Sequence, residues 1–288
     1  MISTSIKIKD SALRVWQALT EKSQMKEWYF DITDFELRAG AIFNFYEPGG
    51  ENLFHHRCQI IEIIPKTKLA HTWSHPSHSK GVSTVTWLLS EVNGITEVTL
   101  KHEGIENFAD AGPEFAPENY QMGWEGLMSA LKNYIYGIRK QTFQIEINAS
   151  PEVVWDVLLN DDTYRKWTNV FCEGSFYKGE LKPGGRVHFL TPNGDGMYSN
   201  IVFYTPHSNI LFQHIGEIVN FVEQPLDDAT EKWTGAFESY TLKSNGKTTT
   251  LVAEVDLTPD HLDSFNKAFP KGLDKIKELS ELSEINKN

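Results

Sequence analysis

Apolar and polar residues alternate with a period of two in Ser5–Lys9 and again in Gln144–Asn148. This period is typical of a β-strand that buries one face. After each segment the apolar residues recur three and four positions apart, which indicates an amphipathic helix. Ser150 is placed to cap the second of these helices, and Asp10 or Ser11 to cap the first. Each strand is therefore predicted to lead into a helix.

Further segments of the first half are rich in β-branched and aromatic residues, which favour strands. They are Ile42–Tyr46, Gln59–Ile64, Leu69–Trp73, Val82–Leu89 and Ile95–His102. Asn93-Gly94 lies between the last two and is a strong signal for a tight hairpin turn. We therefore predict a meander of antiparallel strands.

Each half ends in a long segment with helical periodicity, Gly123–Tyr136 in the first half and Asp260–Leu282 in the second. Both are predicted to form long helices. Pro270 lies within the second segment, and proline lacks the amide hydrogen that a helix interior uses. It is predicted either to kink this helix or to start it.

The chain repeats itself at an offset of 139 residues. This offset aligns Ile6, Ile8, Val15, Trp16, Leu19 and Trp28 with Ile145, Ile147, Val154, Trp155, Leu158 and Trp167. Two tryptophan pairs with the same spacing of twelve residues carry most of the weight, because tryptophan is rare. Two repeats of about 140 residues match the usual size of a domain. We predict one α+β domain over residues 1–138 and a second over residues 139–288.

Several short motifs occur in the same order in both copies. Val15-Trp16-Gln17-Ala18-Leu19 is followed by Trp28, as Val154-Trp155-Asp156-Val157-Leu158 is followed by Trp167. The first copy adds Arg38–Phe45, Leu69–Trp73 and Gly123-Trp124. The second copy departs at two positions, where His214 replaces Trp73 and Pro270 replaces Trp124.

This order of motifs resembles the START-like (SRPBCC) superfamily, in the branch of the homologues of the activator of the ninety-kilodalton heat-shock protein ATPase. The resemblance covers nearly the whole chain. It implies two tandem helix-grip domains, each a curved antiparallel sheet wrapped around a long C-terminal helix. Fold follows from such a resemblance more directly than function does.

The charge of the chain bears on its partners. The 288 residues carry a formal net charge of −12, and both halves are acidic. Clustered lysines and arginines of the kind that neutralise nucleic acid or bind anionic membranes are missing from the sequence, so neither partner is expected. No apolar run is long enough to span a bilayer and no signal peptide is recognisable, which predicts a cytoplasmic protein. Cys58 and Cys172 have no disulfide or metal spacing and are expected to be reduced.

A ligand cavity is predicted between sheet and long helix in the first copy. The alternation of the strands turns a set of mostly aromatic side chains inward, with Trp28 and Trp124 near the ends: Phe43, Phe45, His71, Trp73, Val85 and Trp87. Such a pocket suits an apolar or aromatic molecule, with His71 as its polar group. The alternative is that these side chains fill an ordinary core, since each buried aromatic stabilises a fold without a ligand.

The second copy is expected to have the more polar cavity. The alignment turns Trp167, Val187, Phe189, Phe212, His214, Glu238 and Tyr240 inward. Glu238, His214 and Tyr240 are candidates for acid–base catalysis, because burial and a neighbouring imidazole shift pKa values toward neutrality. The alternative is a shift of one residue in register, which would turn Glu238 to solvent. If both copies bind ligands, the first should take a purely apolar molecule and the second one with a polar head group.

Histidines are densest in the first copy, at His55, His56, His71, His75 and His78. Their spacing matches no metal site, and Pro76 with its serine neighbours favours a solvated hairpin loop. The sequence contains no phosphate-binding loop and no nucleophile motif. We expect neither metal nor cofactor.

Three functions remain open. The leading hypothesis is non-catalytic binding of a hydrophobic or aromatic small molecule, or of a partner protein. The family resemblance adds a co-chaperone that docks on a stress-related ATPase through its sheet. A cyclase- or hydrolase-type enzyme, as some START-like relatives are, is the third. The sequence leaves the oligomeric state and the ligand open.

Overall fold

The chain divides into two units, Met1–Ile135 (unit 1) and Tyr136–Asn288 (unit 2), in the computed structural model, which describes residues 1–49 and 52–286. Each unit contains a first strand, short helices, an antiparallel sheet and a long closing helix. The predicted α+β fold with two tandem helix-grip domains is confirmed. The domain boundary after residue 138 stays a prediction.

Unit 1 begins with its edge strand and ends with its long helix. Its elements are β1 (Ile2–Ile8), α1 (Ala12–Thr20), α2 (Lys22–Met25), β2 (Ile42–Gly49), β3 (Asn52–Ile64), β4 (Lys68–Trp73), β5 (Ser83–Val92), β6 (Ile95–Glu103), two 3-10 turns (Ile105–Phe108 and Pro113–Phe115) and α3 (Pro117–Ile135). The strands lie in the order β1-β6-β5-β4-β3-β2 and neighbours are antiparallel. The meander that the sequence predicts therefore forms, with β1 added beside β6.

The hairpin turn and the helix cap that the sequence predicts are both present in unit 1. Asn93 and Gly94 have φ angles of 54° and 76°, so both take the left-handed conformation that a tight hairpin turn requires. Ser11, and not Asp10, caps α1: its side chain accepts a hydrogen bond of 3.2 Å from the amide of Arg14. The Ser11 cap thus marks the start of α1 after β1. The Asn93-Gly94 turn sets the register between β5 and β6.

Unit 2 repeats this plan with extra strands. Its elements are β7 (Arg139–Ile147), α4 (Pro151–Leu159), α5 (Asp161–Thr168), β8 (Phe176–Gly179), β9 (Arg186–Leu190), β10 (Gly196–Thr205), β11 (Asn209–Val219), β12 (Val222–Glu223), α6 (Thr230–Trp233), β13 (Phe237–Ser244), β14 (Thr249–Leu257) and α7 (Pro259–Ile285). The strand order is β7-β14-β13-β11-β10-β9-β8, and β12 pairs with β11.

Pro270 lies inside α7, eleven residues after the helix begins at Pro259. The alternative in which Pro270 starts the helix is therefore wrong. Pro259 holds the first-turn position instead, where a missing amide hydrogen costs nothing. Phe269, Leu273 and Ile276 follow the helical period and are buried, so α7 continues across Pro270 because its apolar face packs on the sheet.

The two tryptophans spaced twelve residues apart have the same role in each unit. Trp28 donates its indole hydrogen to the carbonyl of Ala18 at 3.0 Å, and Trp167 donates to Leu158 at 3.1 Å. Both acceptors lie near the end of the preceding helix, where carbonyl groups lack helical partners. Each indole thus ties the end of α1 or α4 to the core, which explains why the spacing recurs.

Candidate functional site

An open pocket of about 210 Å³ lies in unit 1 between the inner side of the sheet and the first half of α3. Aromatic and imidazole side chains form most of its wall. The lining residues are Phe30, Glu47, Phe54, His56, Trp73, His75, Glu114, Phe115, Asn119, Tyr120, Gly123, Trp124 and Leu127. The pocket therefore occupies the place, between curved sheet and long helix, at which the sequence predicts a cavity.

Strand and helix periods explain how these residues meet. His56 shares the inner face of β3 with the buried Cys58 and Ile60, two and four residues further on. Tyr120 and Trp124 lie one turn apart on α3 and so face the same side. The inner wall of the pocket thus comes from the sheet and the opposite wall from one face of α3.

Two buried imidazoles on this wall lack hydrogen-bond partners. His56 is 3% exposed and His75 is 1% exposed. Both ring nitrogens of His56 and Nδ1 of His75 have no hydrogen-bond partner among the residues that the structure describes. Nε2 of His56 lies 3.3 Å from a carboxylate oxygen of Glu47, but the contact does not have hydrogen-bond geometry. Unpartnered buried polar groups are costly, so these nitrogens require an explanation.

The contacts of His75 define where its proton lies. Its Nε2 accepts a hydrogen bond of 3.2 Å from the indole of Trp73, which can only donate, and contacts the Tyr120 hydroxyl at 2.5 Å. The proton of a neutral His75 is therefore on Nδ1, the atom without a partner. His75 therefore has a buried N–H without a partner among the described residues, and its ring centroid lies 4.8 Å from that of His56.

A second hydrogen-bonded group joins Trp124, which lines the pocket, to His102 and Ser83. The indole of Trp124 donates to Nδ1 of His102 at 3.0 Å, and Nε2 of His102 contacts the Ser83 hydroxyl at 2.7 Å. His102 and Ser83 are buried. Both nitrogens of His102 are thus satisfied, and the ring of Trp124 is held in one orientation toward the pocket.

Burial keeps three histidines of unit 1, His71, His75 and His102, neutral near neutral pH. It lowers the pKa of His75 to about 3, and the neighbouring imidazoles of His56, His78 and His102 lower it further. Burial also lowers the pKa of His102 to about 3 and the pKa of His71 to about 4. The imidazole of His75 is therefore a neutral hydrogen-bonding group of the pocket wall.

The predicted residues of unit 1 are all buried, but they divide between two places. Trp73 and Trp124 line the open pocket. Trp28, Phe43, His71 and Trp87 surround a void of only about 20 Å³, so this part of the unit is a filled core. Phe45 stacks on His56 at 4.6 Å, and Val85 is fully buried. His71, expected as the polar group of the cavity, bonds the carbonyl of Thr72 at 2.9 Å instead.

The prediction that the histidine-rich region is a solvated loop is wrong. His55 and His56 lie on β3, and His71 lies on β4. His75 follows β4 and is buried, so only the turn beyond it is a loop. The reason is that β3 extends further toward its N-terminus than its apolar residues indicate. Across the described ranges, no group of three or more His, Cys, Asp or Glu side chains is placed to hold a metal ion.

Unit 2 has an open pocket of about 190 Å³ against α5, β9 and α7. Its lining is mostly aromatic: Tyr164, Trp167, Thr168, Phe171, Ser175, Phe176, Phe189, Leu190, Thr191, Gly196, Met197, Glu238, Tyr240, Phe265 and Phe269. Glu238 contributes a carboxylate whose side chain is 19% exposed, so the predicted register of β13 is correct.

The three catalytic candidates of unit 2 lie next to one another. The Tyr240 hydroxyl donates to Glu238 at 2.5 Å, and Nε2 of His214 lies 3.4 Å from the other oxygen of Glu238. Nδ1 of His214 contacts the Ser199 hydroxyl at 2.8 Å. Ser199 is fully buried and is not one of the residues that line the pocket. Burial and the charge of Glu238 raise the pKa of Tyr240, so its phenol keeps its proton.

Other predicted residues of unit 2 lie outside this pocket. Val187 is fully buried in the core, and Phe212 lines a void of about 10 Å³. Trp167, Phe189, Glu238 and Tyr240 do line the pocket.

The expectation that the second copy has the more polar cavity is wrong. In unit 1 the pocket is lined by Glu47, His56, His75, Asn119 and Tyr120 in addition to its aromatic rings. The predicted inward positions do not include most of these residues, because Glu47 and His56 lie beyond the predicted strand ends and Asn119 and Tyr120 lie on α3. Tyr120 carried a usable signal, since it lies one helical turn before Trp124.

The chain belongs to the family of activator of Hsp90 ATPase homolog 1-like proteins, whose model matches residues 10–136 and 148–281. No curated protein matches the chain. Within residues 1–49 and 52–286, no helix combines the length and apolar character needed to cross a membrane.

Several solved structures are similar. CalU16 from Micromonospora echinospora is 21% identical, with 46% of this chain and 74% of that chain covered and a TM-score of 0.36. The Aha1 dimer from Colwellia psychrerythraea is 23% identical, with 50% and 96% covered and a TM-score of 0.39. The di-domain ARO/CYC protein StfQ of the steffimycin biosynthetic pathway is 12% identical, with 98% and 99% covered and a TM-score of 0.38.

Proposed function

We propose that unit 1 binds, without catalysis, a small neutral aromatic molecule that carries a polar group. The observation that supports this most is the coincidence of an open, aromatic-lined pocket with the unpartnered nitrogens of His56 and His75 on its wall. A ligand that reaches these nitrogens removes the cost of burying them unpaired.

The volume of the pocket limits the size of the ligand. An apolar cavity of about 150 Å³ is enough for benzene, and the pocket measures about 210 Å³. One or two fused rings therefore fit, with the pocket mouth open for a longer substituent. Phe54, Phe115, Trp73 and Trp124 supply apolar and aromatic surface for such rings.

The polar wall favours a neutral hydrogen-bonding group on the ligand. Nδ1 of His75 carries a hydrogen and needs an acceptor, while both ring nitrogens of His56 lack a hydrogen-bond partner in the described part of the chain. A hydroxyl or amide group serves both rings. The Glu47 carboxylate lies 3.3 Å from His56 and disfavours an anionic ligand.

Binding is favoured over catalysis in this pocket because two of its titratable groups, His75 and Tyr120, are poor proton carriers near neutral pH. The pKa of His75 is about 3, which makes its imidazole a weak base. Burial raises the pKa of Tyr120, so its hydroxyl is a weak acid.

Gly123 offers a direct test, because it lines the pocket and a Cβ atom added there meets no atom within 4 Å. Gly123→Leu is expected to fill the pocket mouth without disturbing the fold, and to stabilise α3 by up to about 1 kcal/mol. Titration of indoles, flavonoids and fatty acids into the full chain, followed by tryptophan fluorescence, should show binding of the small indoles and phenols. We expect Gly123→Leu to weaken that binding by at least about tenfold, or roughly 1.4 kcal/mol.

Gly126→Leu is the matched control. Gly126 lies on the same helix, has equally open space around it and does not line the pocket. It should retain wild-type affinity. Equal affinity in the Gly123→Leu variant would contradict the proposal, and no binding by any compound would favour the protein-docking alternative. The cytoplasmic location is part of this proposal and is checked by fractionating cells that express the chain.

A further inference from the structure

The pocket of unit 2 has a single acidic side chain among its lining residues, whereas Glu47 and Glu114 both line the pocket of unit 1. Its walls are aromatic, and the group that charges it is the carboxylate of Glu238. In the described part of the chain, this carboxylate forms no ion pair with a lysine or arginine; its polar neighbours are the Tyr240 hydroxyl and His214. A half-buried carboxylate that is not paired with a lysine or arginine attracts a cationic ligand.

Several aromatic rings line the same pocket as this carboxylate and contact one another. Trp167 lies 6.2 Å from both Tyr240 and Phe171, and Phe171 lies 5.4 Å from Phe265, measured between ring centroids. The negative faces of Trp, Tyr and Phe attract ammonium groups, and the attraction grows where water is excluded. Such rings around one carboxylate are a common way to bind an organic ammonium ion.

The chain's own cations stay at the rim of this pocket. Arg165 lies over the ring of Phe176 at 4.7 Å and is paired with Asp161 at 2.8 Å. Lys178 lies 5.7 Å from the same ring. These contacts show that the rim already attracts positive groups, while Glu238 further inside is paired with neither of them.

The charge of the surrounding sequence acts in the same direction. Residues 140–288 carry 14 lysines and arginines against 22 aspartates and glutamates, a difference of −8. A negative unit raises the local concentration of a cationic ligand and lowers that of an anionic one. Burial and the nearby Glu238 charge also raise the pKa of Tyr164, consistent with a negative potential at this wall.

From this geometry we propose that unit 2 has its own ligand site, which binds a primary ammonium ion attached to an aromatic or other apolar body. The ammonium lies against Glu238, with Trp167 and Tyr240 beside it. The apolar body lies among the phenylalanines of α7 and the segment after α5. This site is independent of the neutral aromatic ligand proposed for unit 1.

The probe for this site is 2-phenylethylamine, with 2-phenylethanol as its neutral counterpart of nearly equal shape. Isothermal titration of the full chain near neutral pH should show the amine binding at least about tenfold more tightly than the alcohol. Glu238→Gln keeps the shape of the side chain and removes its charge, and should abolish this preference. Glu152→Gln removes a charge from an exposed position in the first turn of α4 and should leave the preference intact.

A second variant keeps the test valid if Glu238→Gln fails to fold, as judged by near-ultraviolet circular dichroism. Phe265→Leu retains an apolar side chain and removes a ring from the wall. It should weaken binding of the amine about threefold to tenfold and leave binding of the alcohol unchanged. Gly123→Leu, which fills the pocket of unit 1, should leave amine binding unchanged. Equal binding of amine and alcohol, a preference that survives Glu238→Gln, or loss of amine binding in Gly123→Leu would each overturn the proposal.

Discussion

Replacing Trp16 or Trp155 by alanine is expected to lower the free energy of unfolding of its own unit by about 3–5 kcal/mol. The two side chains are 7% and 6% exposed and occupy equivalent positions of the repeat. Each loss combines the burial of a large aromatic surface with the cavity left behind. Their equivalence predicts similar costs in the two units.

Hydrogen exchange measured by mass spectrometry at increasing urea concentration resolves the two units, because each peptide reports on its own unit. Leu13→Ala is the control on α1: Leu13 is 47% exposed, and its truncation should change stability by no more than about 0.5 kcal/mol. A loss below about 1 kcal/mol for either tryptophan would contradict its role in the core.

Acid is expected to destabilise unit 1 steeply as the pH is lowered from about 6.5 toward 4. In the folded unit the pKa is about 4 for His71 and about 3 for His75 and His102, against about 6.5 in an unfolded chain. Between these values the unfolded chain binds more protons, so acid favours it. The contribution of these histidines to the stability of unit 1 is fully present above the unfolded-state pKa of about 6.5 and is lost as the pH falls below that value.

The magnitude follows from proton counting. Each imidazole that is protonated only in the unfolded chain contributes about 1.4 kcal/mol per pH unit. Urea unfolding of unit 1 at several pH values should therefore show a free energy of unfolding that falls with decreasing pH by several times this increment, about 1.4 kcal/mol per pH unit for each imidazole. His71→Phe places at this position the residue that Phe212 provides at the aligned position of unit 2, and should reduce the slope by one increment. His207→Asn changes an exposed imidazole of unit 2 and should not alter the slope in unit 1.

Much of the fold was predictable because it depends on local patterns. The tryptophan spacing, Asn93-Gly94 and the alternation of β13 determine the repeat, a hairpin and the inward position of Glu238 without reference to the rest of the chain. The start of α1 was equally predictable, because Asp10 and Ser11 are the residues there that can serve as its N-cap.

The position of the unit 1 pocket was not predictable in the same way. It depends on the side chains that pack too loosely to fill the space, and the sequence pattern does not reveal packing. Trp87 and Trp73 both follow the inward period, yet only Trp73 borders the open pocket. His56 was missed because the residues around it are weak strand formers, although it is continuous with the inward face of Cys58 and Ile60.

The central claim is that a ligand of unit 1 meets His56 and His75, and the nitrogen resonances of these imidazoles test it most directly. The measurement is a long-range proton–nitrogen correlation spectrum of the full chain, with the two rings assigned through His56→Gln and His75→Gln variants. Addition of the tightest small aromatic ligand from the titration panel should shift the ring nitrogens of His56 and Nδ1 of His75, while those of His188 and His207 in unit 2 remain in place. A ligand that binds without moving the resonances of His56 and His75 would contradict the claim.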